Sequence, residues 1–215
     1  AVAAIAEAYM FGHTSGVIKP DLNKAREYLE KAVEGGHTVS MTNLAAFYMD
    51  GKKGVPKDCL KAHGLYVRAA RLGNFSAVYN LGQMHERGDG VKKDPQEAVA
   101  LLNMAASKGH PPAQFALGLI FVKGEYTKPN FPLARQLWTA AAKAGFPAAI
   151  QNLPKLDGAE QQFKIAEKEM EEQKRAQQMA EGTKTVDDFA SSAVEVEVDS
   201  VDELQQAMAD VETMD

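Results

Sequence analysis

The chain holds five histidines and one cysteine, the side chains from which a metal centre or a thiol nucleophile would be built. Zinc requires three or four converging ligands, and neither His13 nor His63 is followed three or four residues on by Cys, Asp or His. His37 and His110 each come directly after a glycine, in Gly36-His37 and Gly109-His110, and read as turn residues. His85 stands where parallel segments carry Tyr or Phe and reads as a packed ring. No metal and no cofactor are expected. Cys59 lies at a loop-to-helix start, a setting that favours thiolates, yet no His and Asn are placed to serve it, so it reads as a small packing residue. The pair Gly88-x-Gly90 follows a helical pattern rather than a strand, which removes the dinucleotide and phosphate-loop readings. Neither a Gly-x-Ser-x-Gly elbow nor His-Glu-x-x-His occurs, and no catalytic residue is nominated.

Two surface signals are weaker. Asn74-Phe75-Ser76 has the form of a glycosylation sequon, but it falls in a tight connection and is read as unused. Lys52, Lys53, Lys57, Lys92 and Lys93 form the densest basic patch. Nucleic-acid binding would need aromatic platforms interleaved with such a patch, so the lysines read as a solvated rim and no nucleic acid is expected.

The elements that must position these residues are repeated. Four segments end alike: Ile5 to Gly12, Leu44 to Gly51, Leu81 to Gly88 and Leu117 to Gly124. Each is followed by a second segment running from Ala25, Ala62, Ala98 or Ala134 to Gly36, Gly73, Gly109 or Gly145. Those last glycines are spaced by 37, 36 and 36 residues, the period of a helical solenoid. From each second-segment alanine to the next leucine the count is always 19, whereas from Ile5 or leucine to alanine it drifts through 20, 18, 17 and 17. The constant interval implies a tight helix-to-helix connection. The drifting interval holds Gly and Pro and implies loops.

Apolar and small residues recur at three and four within each segment, as in Ala98, Leu101, Leu102, Ala105 and Ala106, so both halves are predicted to be helices. A glycine closing the second helix suits a left-handed cap. Asp94-Pro95 with Glu97 supplies a cap, a first-turn proline and an acid at the positive helix end. Abundant alanine lets helices of adjacent repeats approach, and several stacked pairs bury what one cannot.

These residues resemble the Sel1-like repeat, a helical family related to the tetratricopeptide repeat. The likeness rests on the Leu-small-x-x-aromatic-x-x-Gly ending, the Gly-Val-x-x-Asp loop of Gly54 to Asp58 and Gly90 to Asp94, and the Ala-Ala-x-x-Gly-His close at His110. It implies an all-α, right-handed α-solenoid. Repeats are set at 1–37, 38–74, 75–110 and 111–146, followed by a capping element over 147–158. Asn152-Leu153 starts a fifth copy in phase with Asn80-Leu81, and Pro154 is expected to stop it. The resemblance further implies a non-catalytic adaptor whose concave face, lined by first helices, takes a peptide or partner helix. The inward positions it carries over are Thr42, Ala46, Met49 and Asp50; Tyr79, Gln83, Glu86 and Arg87; and Phe115, Leu119, Val122 and Lys123. The alternatives are an integral subunit of a larger complex, and an enzyme akin to cysteine-rich relatives linked to β-lactams. Those relatives carry a cysteine pair per repeat, unlike this chain.

Charge divides the molecule. Residues 1–158 carry 19 Lys/Arg against 13 Asp/Glu, and residues 159–215 carry 5 against 16. Residues 159–181, with Glu160-Lys164 and Glu171-Arg175 at i, i+4, predict a polar helix. The stretch 182–215 is acidic and is expected to be disordered. Within it Val201, Leu204, Met208 and Val211 recur at helical spacing behind the capping pattern Ser200-x-x-Glu203, a motif that could fold on a partner or on the groove. No apolar run reaches the roughly 18 residues of a membrane span. The first residue is Ala within a helical pattern, so a preceding segment is expected and the compartment stays open.

Overall fold

The computed structural model describes residues 2–12, 19–51, 56–124, 126 and 128–179. Two units are distinguished, Ala1–Asp157 and Gly158–Asp215. In the first, eight helices form four antiparallel pairs: α1 (Val2–Phe11) with α2 (Leu22–Glu34), α3 (Thr38–Asp50) with α4 (Cys59–Arg71), α5 (Phe75–Arg87) with α6 (Pro95–Ser107), and α7 (Pro111–Lys123) with α8 (Phe131–Lys143). A short α9 (Pro147–Asn152) packs on α8. The described residues contain no strand, and the architecture is an α-solenoid in which close packing runs chiefly between consecutive helices.

The fixed 19-residue interval has a physical origin. At each junction the glycine takes a left-handed conformation, with φ of 80° at Gly36 and 78° at Gly109. Two backbone hydrogen bonds then close the helix. Gly36 N–H donates to Val33 O and His37 N–H to Ala32 O, and the same pair recurs at Gly73, Gly109 and Gly145. This is the paired Schellman closure. The residue donating the second bond starts the next helix. His37 Nδ1 accepts from Ser40 N–H, Asn74 Oδ1 from Ala77 N–H and His110 Nδ1 from Ala113 N–H. One residue therefore ends one helix and caps the next.

The drifting interval is also controlled at its far end. The residue capping each second helix donates its backbone N–H to a carbonyl of the first helix: Asp21 to Tyr9, Asp58 to Tyr48, Asp94 to His85 and Asn130 to Phe121. Loop length varies between two pinned ends, and the helix pair keeps its geometry.

Small residues set the spacing inside each pair. Ala25, Ala62, Ala98 and Ala134 are wholly buried, and opposite them stand Ala6, Ala45, Gly82 and Gly118, also buried. A Cβ on Gly118 would lie 2.5 Å from Trp138 Cδ1, so this glycine makes room for the indole, whose Nε1–H donates to Phe115 O at 3.0 Å. Leu29, Met41, Met84 and Leu102 fill the core between layers.

Near the end of the first unit the helix stops at Pro154 as expected: α9 ends at Asn152, a 3₁₀ turn occupies Leu153–Lys155, and α-helix starts again at Leu156, whose side chain is buried. Pro154 sits in the first turn of that 3₁₀ segment, where its missing N–H has no partner to lose. The polar helix consequently begins at 156, not 159. Arg135 of α8 pairs with Asp157. In the second unit, residues 158–179 are helical and largely exposed. Lys164 pairs with Glu160 at 2.8 Å and Lys168 with Glu172 at 3.7 Å. The acidic stretch, including Val201, Leu204, Met208 and Val211, lies outside the described residues. No helix among those described is long and apolar enough to cross a membrane.

Candidate functional site

All twelve carried-over positions are half-buried or exposed, so none serves as a sealed core residue. Ten of them line two clefts between successive first helices. The α3–α5 cleft, about 200 Å³, takes Ala46, Met49 and Asp50 from one repeat and Gln83 and Arg87 from the next, with Tyr66, Asn80, Met84 and Asp89 completing it. The α5–α7 cleft, about 210 Å³, takes Tyr79, Gln83 and Glu86 with Phe115, Leu119 and Lys123, above Leu102, Ala116 and Ile120. Thr42 and Val122 line neither: the Thr42 hydroxyl donates to Thr38 O within its own helix.

A third cleft, about 330 Å³, lies between α1 and α3 and is lined by Met10, Phe11, Leu22, Asn43, Ala46, Phe47 and Asp50. Phe11 is 78% exposed there. Met10 and Phe11 stand five and six residues after Ile5, so the same register applied to the first repeat finds them. Tyr66 and Leu102 come from second helices and Asp89 from a loop, beyond any first-helix register.

The clefts differ in chemistry. The outer two are mainly apolar, and the middle one carries Asp50, Asp89, Arg87 and the Tyr66 phenol. Burial, with a smaller contribution from Asp50, pushes Tyr66 up to about 12, so it stays a neutral donor. Burial also raises Tyr79. Its hydroxyl oxygen accepts from Gln83 Nε2 at 2.6 Å, and its ring lies 5.3 Å from that of His110. Phe115 stacks on Trp138 at 5.2 Å and tilts against Phe146 at 5.6 Å. Both aromatic rings are therefore held in place by their neighbours.

Among the described residues, the histidines, Cys59, Asn74 and the loop lysines line none of these three clefts. His37 and His110 are helix caps, and Ser76 Oγ lies 3.1 Å from His110 Nε2. Burial lowers His110 below the usual 6.5. Spacing along one helix hides the partner of His63: His85 approaches from α5, with ring centroids 6.4 Å apart. Burial first and His85 second hold His63 below 6.5, and His85 Nδ1 is buried without a hydrogen-bond partner. Among the described residues no group of three His, Cys, Asp or Glu is placed to hold a metal. A Cβ on Gly90 would meet Cys59 Cβ at 2.5 Å, which explains why a glycine follows Gly88 so closely. Asn74 spends its side-chain oxygen on capping α5. Lys57, Lys92 and Lys93 are exposed on the loop edge, and Lys52 and Lys53 lie outside the described residues.

A family model for the Sel1 repeat matches residues 1–37, 38–74, 76–110 and 111–146. Cytochrome c oxidase assembly factor 7 of Xenopus tropicalis is 40% identical over 72 residues, which is 34% of this chain and 31% of that protein. The Homo sapiens protein of that name is 50% identical over 40 residues, 19% of this chain and 17% of its own. The matched stretch thus spans less than a third of these curated relatives. Among solved structures, a Sel1 repeat protein from Oxalobacter formigenes superposes with a TM-score of 0.64 at 30% identity, covering 72% of this chain and 61% of that one. A protective antigen of uropathogenic Escherichia coli with an SLR fold gives 0.59 at 31% identity, covering 67% and 30%.

Proposed function

Because the chain belongs to the Sel1 repeat family, we propose that it is a non-catalytic adaptor that holds another protein on the concave face formed by its first helices. The observation that carries this reading is the set of adjoining clefts along that face. Each is built from two neighbouring repeats, and Ala46, Asp50 and Gln83 are shared between one cleft and the next. Rigid aromatic rings beside charged groups are the composition of a protein-binding patch, where apolar anchors supply affinity and polar neighbours fix orientation. The name of the curated relative supports a narrower form: the partner is a protein of a multiprotein complex under assembly.

The test is affinity purification of the whole chain with mass spectrometry, run beside an Ala46→Arg, Leu119→Glu double variant. Both substitutions add bulk and charge at positions that are not buried. The expected result is a set of proteins retained by the native chain and lost by the variant, with unchanged helical circular dichroism. Equal retention by both chains would overturn the reading.

A further inference from the structure

If the concave face holds a partner, as the adaptor reading has it, the order of its three clefts constrains what that partner presents. Along the face the lining runs from mainly apolar (Met10, Phe11 and Phe47, with Asp50 at the border) through charged (Asp50, Arg87, Asp89) to mainly apolar again (Phe115, Leu119 and Ile120, with the opposite charges of Glu86 and Lys123 beside them). The clefts adjoin, because Ala46 and Asp50 border the first two and Gln83 the last two. A single ligand can cross all three.

Resting on that adaptor reading, we propose that the face recognises an extended peptide with two apolar anchors about six residues apart and a basic residue between them. The distance comes from helix dimensions. Successive first helices stand roughly one helix diameter apart, about 10 Å with side chains, so the two apolar clefts are separated by about 20 Å. An extended chain rises ~3.3 Å per residue and covers that distance in about six residues. A helix rises 1.5 Å per residue and would need about thirteen. The adjoining clefts form a narrow track, which suits the slimmer extended chain.

Complementarity sets the charge of the central residue. Two carboxylates, Asp50 and Asp89, line the middle cleft against one guanidinium, Arg87. The Tyr66 phenol beside them offers a neutral hydroxyl. A lysine or arginine entering here meets a net negative lining, while a glutamate meets a net like charge.

The experiment is fluorescence anisotropy of the full chain with labelled synthetic peptides of one design: two leucines separated by a Gly/Ser/Gln spacer with lysine at its centre. Spacings of three, six and nine residues are compared, together with a helix-stapled peptide carrying the leucines thirteen apart. Expected are tightest binding at a spacing of six, about tenfold or greater weakening when one leucine becomes serine, and clear weakening when the lysine becomes glutamate. Leu119→Glu should reduce the six-residue peptide to the affinity of its single-anchor form, and Asp89→Asn should erase the preference for lysine. Equal affinity at all spacings, preference for the stapled helix, or indifference to the central charge would overturn the proposal. The adaptor reading would survive any of those results if Ala46→Arg with Leu119→Glu still released partners in the purification above, and would fall separately if it did not.

Discussion

At the scale of single residues, small side chains and buried rings set the tolerance of the fold. Gly118→Ala places a methyl group against the Trp138 indole at 2.5 Å. Over-packing of this kind costs about 1–3 kcal/mol, so a urea melt should show that loss, whereas Gly82→Ala, whose Cβ would lie 3.2 Å from Leu102 Cγ, should lose less. His63 gives a pH dependence of definite sign. Burial and His85 hold it below 6.5 in the folded chain, so the unfolded chain takes up the proton first. Its contribution is therefore complete above pH 6.5 and is lost as pH falls from there through the lower folded value. The native protein should melt at lower temperature on acidification, and His63→Gln should show a shallower decline by thermal circular dichroism. His110, lowered by burial, acts in the same direction, and its protonation would also remove the acceptor that caps α7. The histidines illustrate the reach of sequence reading. Their place after Gly36 and Gly109 was legible as turn chemistry, but the meeting of His63 with His85 was not, because it joins two helices 22 residues apart in the chain.

At the scale of elements, each repeat has one rigid joint and one adjustable loop. Gly109 has φ +78° with open space where a Cβ would go, and Gly90 has φ +72° with Cys59 Cβ in the way at 2.5 Å. Gly109→Ala should therefore cost only the left-handed backbone penalty, about 1 kcal/mol. Gly90→Ala adds a clash and should cost more, which chemical denaturation of the two variants would resolve. Inserting four Gly/Ser residues between Gly88 and Asp94 should cost less than about 1 kcal/mol, because Asp94 still pins to His85 O. One residue inserted after Gly109 should be far more damaging, since it parts the Schellman closure from the cap on His110. The two intervals, one fixed and one drifting, announced this division in the sequence. The break at Pro154 and a polar helix after it were legible, but its start at Leu156 rather than at 159 was not.

At the scale of the whole molecule, stability is a chain of neighbour contacts. Helices in the middle of the first unit pack on both sides, as α5 does on α4 and α6, whereas α1 packs chiefly on α2. In such arrays opening starts at the ends, so hydrogen exchange should be slowest in α5 and α6 and fastest in α1; uniform protection would contradict this. The face along the first helices was legible in part. The register predicted from the family placed ten of twelve residues at clefts, but the alternation of apolar and charged linings depends on Tyr66, Asp89 and Leu102, which that register does not reach. Identical joints also bear on how such a molecule changes over generations. Every boundary carries the same closing glycine, the same capping position and a small buried residue three places on: Ser40, Ala77, Ala113 or Ala149. A recombination event that adds or removes one unit therefore meets matching halves on both sides, and the length of the face along the first helices can change in whole repeats without any new boundary having to arise.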